Sequence, residues 1–183
     1  RFIPPSKLKN PHIQSILNSL GPRKIRAKRL ANKLDSEILT LTAKDGTRLL
    51  AEYDRSKTPN NSLIVLLHGW EGSSQSAYQV TTANYLLKQG FDVLRLNLRD
   101  HGDSHHLNFE LFNSTMTNEV AEAIACFFET HAYEKRFLAG FSLGGNFTLR
   151  IAADHGSSLK LTAAVAICPP VDPTNAMTAL DNT

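Results

Sequence analysis

No apolar run in the sequence is long enough to span a membrane, no cysteine or histidine pair has metal-ligand spacing, and no internal repeat or low-complexity tract occurs. These absences leave no case for a membrane-spanning, zinc-stapled or solenoid protein. Cysteine is scarce. Cys126 and Cys168 both fall in apolar runs, which predicts two buried free thiols in a reducing compartment, the cytoplasm. Charge imbalance is small as well. Twenty basic against 17 acidic residues give +3, too little to imply a nucleic-acid or membrane partner. The opening Arg1-Phe2-Ile3-Pro4-Pro5 is not a signal peptide and lacks an initiator methionine, so a trimmed N-terminus is expected.

What is present is the composition of an ordinary globular chain: 183 residues, 42% hydrophobic and 20% charged, enough for one domain with a sizeable core. Residues 1–36 read as an N-terminal arm, with prolines at 4, 5, 11 and 22 and a short helix over 11–18. Arg23 to Arg29 holds five positive charges in seven residues; a solvated face is the first reading, an acidic-lipid or acidic-partner patch the alternative. Residues 37–183 form the domain. Glu37 to Tyr53 alternates around Asp45-Gly46 and predicts a hairpin. Leu63 to Leu67 is apolar without alternation, as in a central parallel strand covered on both faces.

A helix over Ser73–Gln89, capped by Ser74 or Ser76 and stopped by Gly90, is expected next, then a strand over 91–98. A second helix runs from about Ser114 to Glu129, with Met116, Val120, Ile124 and Phe127 or Phe128 buried. Phe137 to Phe141 is a strand that turns into a helix near Gly144, and Leu161 to Ile167 is a last apolar strand. Strand–helix alternation predicts an α/β fold with a mostly parallel sheet flanked by helices.

The chemistry concentrates at Gly140-Phe141-Ser142-Leu143-Gly144. A strand that reverses sharply into a helix crowds the residues two before and two after the apex, so both must be small, and the apex serine is held exposed and strained. An acyl-transferring serine needs donors for the oxyanion that develops. One is the N–H of Leu143; the other comes from the loop after the third strand, where Trp70 follows His68-Gly69. Glycines at 69 and 72 allow close approach. His68 reads as a loop-shaping residue rather than the base, and His101, His105 and His106 belong to a rim loop that Asp100 and Asp103 cap or tie. Trp70 and Tyr78 line an acyl pocket or simply pack.

The set HGWEGSS (68–74), NLRDHGDS (97–104), AGFSLGGN (139–146) and ICPPVDP (167–173), with NPHIQSI (10–16) upstream, resembles the α/β-hydrolase superfamily and is similar to its YheT-like branch of predicted esterases and lipases. The resemblance implies a cofactor-free, metal-free hydrolase of small acyl esters working through an acyl-enzyme, with Ser142 as nucleophile, Trp70 and Leu143 as oxyanion donors, and Gly69, Gly140 and Gly144 shaping the turns. Acyl transfer, thioester cleavage or a non-catalytic binding protein of the same fold are the alternatives.

The superfamily order places an acid and then a histidine after the serine. Here the only later histidine is His155, thirteen residues on and about 18–20 Å away along a helix. Asp172 is a site-rim candidate with no histidine to orient. The expectation is therefore an N-terminal part of a hydrolase: the catalytic histidine and acid, the last strands and the lid lie beyond residue 183, and the 161–167 strand is an exposed apolar edge.

Overall fold

A computed structural model describes residues 5–10, 12–14, 16 and 22–181. After a 3-10 turn at Ser6–Leu8 the elements are α1 (Pro22–Ala31), β1 (Glu37–Thr42), β2 (Arg48–Asp54), β3 (Ser62–Leu67), α2 (Ala77–Lys88), β4 (Asp92–Leu96), α3 (Thr117–Thr130), β5 (Lys135–Phe141), α4 (Leu143–His155), β6 (Ala163–Ile167) and α5 (Pro173–Asp181). The six strands form one sheet in the order β1-β2-β4-β3-β5-β6. β1 and β2 are an antiparallel hairpin and β2 joins β4 antiparallel, whereas β4, β3, β5 and β6 run parallel. This is the mostly parallel α/β sheet that the alternation predicts.

The side-chain period of two along each strand divides the core into two faces. Leu63, Val65 and Leu67 of β3 and Leu94 and Leu96 of β4 point to the α3/α4 side, where Val120, Ile124, Phe127, Phe147 and Ile151 cover them. Leu66 and Val93, one position out of phase, meet Ala83 of α2 on the other side. Both faces of β3 are covered, which explains its unbroken apolar run. The hairpin turns as expected: Gly46 has φ +88°, the Ala43 N–H donates to Thr47 O at 2.8 Å, and Asp45 Oδ1 accepts the Thr47 N–H at 2.9 Å.

Several expectations need correction. Within the 1–36 arm one helix was not anticipated: Pro22–Ala31 is α1, which buries Ala27 and lies against α2. The helix expected over 11–18 falls partly outside the described residues; those described, 12–14 and 16, are helical.

α2 starts at Ala77 rather than Ser73, since Ser74 is drawn into a buried polar cluster and Ser76 Oγ accepts the Ser73 N–H instead of capping the helix. The thiols are not buried: Cys126 is half-buried beside the apolar stripe of α3, and Cys168 is exposed just past the edge strand. α5 was not anticipated, although Asp172-Pro173 is an N-cap and first-turn signal, and the Asn175 N–H donates to Asp172 Oδ1 at 3.1 Å. β6 pairs with β5 on one side and exposes most of its residues, including Val165.

Candidate active site

Ser142 stands between the end of β5 and the start of α4 with φ +51° and ψ −116°, a conformation that costs a non-glycine residue of order 1–3 kcal/mol. Its neighbours explain why only glycine flanks it. A Cβ on Gly140 would lie 2.1 Å from Gly144 O and 2.4 Å from Thr148 Oγ1. A Cβ on Gly144 would lie 2.4 Å from His68 O. Strand end, helix start and the β3 loop are thus in contact through bare backbone. The Ser142 N–H donates to Ile167 O at 2.9 Å, tying the turn to the end of β6, and the Ser142 side chain is exposed and caps nothing.

The facing loop is a turn from Gly69 to Gly72, closed by the Gly72 N–H on Gly69 O at 3.0 Å, with Glu71 at φ +52°. A Cβ on Gly69 would come 3.2 Å from the Ser142 Cβ, so this loop lies directly against the serine. No acceptor among the described residues takes the Trp70 N–H. Leu143, the first residue of α4, has no acceptor four residues back for its own. The Trp70 side chain is 60% exposed, so it does not wall off a closed pocket. Tyr78 does more than line: its hydroxyl accepts the Gly69 N–H at 2.9 Å while its ring lies 4.9 Å from that of Phe141, bridging the loop and the end of β5.

His68, His101 and His155 are committed elsewhere. His68 is fully buried; its Nε2 accepts the Leu98 N–H at 3.0 Å, which leaves the proton on Nδ1 to donate to Gly69 O at 2.7 Å. Burial holds its pKa down at about 4. A neutral ring with both nitrogens engaged shapes the loop, as expected, and cannot take a proton from Ser142. His101 packs 4.9 Å from the His68 ring and bonds Arg99 O through Nδ1. His155, in the last turn of α4, meets Asn118 Oδ1. Asp172 is occupied at the start of α5, and Asp100 Oδ2 accepts the Phe112 N–H at 2.8 Å, tying the rim loop. Among the described residues none hydrogen-bonds the Ser142 hydroxyl, and no cluster of three metal-ligating side chains occurs.

Sequence reading missed the cluster that holds the Trp70 loop from behind. Arg95, 1% exposed, donates from Nε to Asp54 at 2.9 Å, from Nη2 to Glu52 at 2.8 Å and from Nη1 to Ser74 O at 2.7 Å. Ser74 Oγ donates to Glu52 at 2.6 Å, and the Ser74 N–H donates to Asn97 Oδ1 at 2.8 Å. The signal was an arginine inside an apolar strand together with Glu52 and Asp54 two residues apart on the same face of β2.

A family model described as the alpha/beta hydrolase fold matches residues 62–182. YheT of Escherichia coli (strain K12), provisionally named an esterase, is 23% identical over 169 residues, which is 92% of this chain and 48% of that protein. Among solved structures, the esterase Pf2001 of Pyrococcus furiosus is similar with a TM-score of 0.70 at 18% identity, over 85% of this chain and 61% of its own. A serine hydrolase without a lid from Xanthomonas campestris, XC6422, gives 0.64 at 23% identity over 75% and 63%. The structural likenesses are likenesses of fold, and the chain spans about half the length of the curated YheT.

Proposed function

The chain belongs to the alpha/beta hydrolase fold family, and from that premise we propose that it carries the nucleophile and oxyanion half of a serine ester hydrolase. Ser142 Oγ attacks the carbonyl carbon of a small acyl ester. The carbonyl oxygen takes the negative charge and is held by the N–H groups of Trp70 and Leu143. The alcohol leaves with a proton, and water then splits the acyl-serine to release the carboxylic acid and restore Ser142. Gly69, Gly140 and Gly144 keep side chains out of the turns that bring these groups together. No cofactor enters. The histidine and acid that take and return the serine's proton are assigned to residues outside 1–183, as every imidazole with a stated contact is engaged away from Ser142.

One observation carries this reading: an exposed serine at positive φ, between two glycines that admit no Cβ, lies directly against the Gly69–Gly72 turn. Hydrolysis of p-nitrophenyl butyrate tests it. This chain is expected to turn over well below the ~1–10³ s⁻¹ of ordinary enzymes, with Ser142→Ala removing what activity there is. Turnover in that range would contradict the assignment of the base, and turnover indifferent to Ser142→Ala would contradict the nucleophile.

A further inference from the structure

Charge is segregated along this chain. Residues 1–34 contain nine Lys and Arg and no Asp or Glu, whereas residues 35–183 contain eleven against 17, so a +9 arm precedes a −6 body. Opposite charges that close in sequence would be expected to pair. They do not: Lys24, Arg26, Lys28 and Arg29 are all exposed, and among the described residues none meets a carboxylate. α1 also breaks the helix-dipole rule, with Lys24 and no acid in its first turn.

The helix period sorts these residues. Ala27, Leu30 and Ala31 share the face turned to α2, being buried or half-buried. The opposite face presents Ile25, 58% exposed, with Arg29 beside it and Lys24, Arg26 and Lys28 flanking. Two more isoleucines before it, Ile13 and Ile16, are 42% and 56% exposed. Cations alone would suit any polyanion; cations around exposed aliphatic side chains suit a surface that is both anionic and greasy.

We propose that α1, together with Ile13 and Ile16 before it, forms a docking surface for an anionic lipid bilayer, with the cations at the headgroups and Ile25 reaching the acyl boundary. The inference is independent of the hydrolase reading, and holds whether or not Ser142 turns over an ester.

Co-sedimentation of the whole 183-residue chain with vesicles tests it, using phosphatidylcholine alone and phosphatidylcholine mixed with phosphatidylserine. Binding is expected only to the mixed vesicles and is expected to weaken as salt is raised. Each cation removed should weaken it about fivefold, so Lys28→Gln with Arg29→Gln loses more than tenfold, while Lys135→Gln with Lys160→Gln on the body loses nothing comparable. Both pairs are exposed, and far-UV circular dichroism checks that the fold persists. Ile25→Ser, with every cation intact, should also weaken binding. Equal binding to both vesicle types, equal loss from the arm and body pairs, or indifference to Ile25→Ser would each overturn the proposal. So would displacement from the vesicles by a DNA duplex at lower concentration than by free phosphatidylserine vesicles, which would mark the arm as a nucleic-acid surface.

Discussion

The two faces of the sheet are held by different physics. On the α3/α4 side, Phe127, Phe147, Ile124 and the inward leucines of β3 and β4 make a contiguous apolar core. On the α2 side the apolar cluster is small, and beside it Arg95 is buried with Glu52 and Asp54. The first face holds the strands together, in proportion to area removed from water. The second holds a loop in place, because Ser74 and Gln75, which both bond Glu52, follow directly on the Gly69–Gly72 turn. The apolar face tolerates imprecision; the polar face does not, since a half-satisfied buried charge costs more than none.

The sharpest contrast comes from removing one member of each. Arg95→Met should cost about 3–5 kcal/mol, because two buried carboxylates lose their cation. Phe147→Ala should cost a similar ~3–5 kcal/mol through its cavity. Adding Glu52→Gln and Asp54→Asn to Arg95→Met should return most of the stability, whereas no polar exchange rescues Phe147→Ala. Urea denaturation of these three variants and the unsubstituted chain decides it. If the triple variant is no more stable than Arg95→Met, the polar face is not an electrostatic device.

Next in size is a pH effect. His68 has its folded pKa depressed to about 4 from 6.5, so the unfolded chain binds the extra proton first. Stability is fully present above about pH 6.5 and is lost as pH falls towards 4, by roughly 3 kcal/mol at most. The melting temperature followed from pH 7.5 to 4.5 should fall, and His68→Gln should flatten the lower part of that curve.

Ser74→Ala should cost about 1–3 kcal/mol by leaving Glu52 Oε1 and Asn97 Nδ2 one partner short. Amide exchange at Gly69 and Gly72 should rise more than exchange in β3. At the small end, Glu37→Ala should cost under about 1 kcal/mol, because the Glu37–Arg55 pair is 3.6 Å apart and mostly exposed. A larger loss would remove the distinction between surface pairs and the buried cluster.

Legibility in the sequence follows the same division. β3, the hairpin and the strand-to-helix turn at Ser142 were readable because each rests on a local pattern: an unbroken apolar run, alternation around Asp-Gly, and small residues two either side of a serine. The Arg95 cluster was not, because its partners come from β2, from the loop after β3 and from Ser36, and no local pattern records a register between antiparallel strands. α1 was hidden by charge, since its cations mask the short stripe of Ala27, Leu30 and Ala31. Cys168 misled because it ends an apolar strand that lies at the edge, where an apolar run no longer means burial.

The central proposal is that Ser142 is the nucleophile and that residues 1–183 supply it with no base. The most direct measurement is the rate at which a fluorophosphonate probe modifies this chain between pH 6 and 10, with the adduct located by mass spectrometry. The expected result is one adduct, on Ser142, forming slowly and about tenfold faster per pH unit with no plateau, as hydroxide alone supplies the base. A rate that levels off above about pH 7 would put a titrating imidazole against Ser142, and an adduct on any other serine would put the nucleophile elsewhere; either contradicts the account.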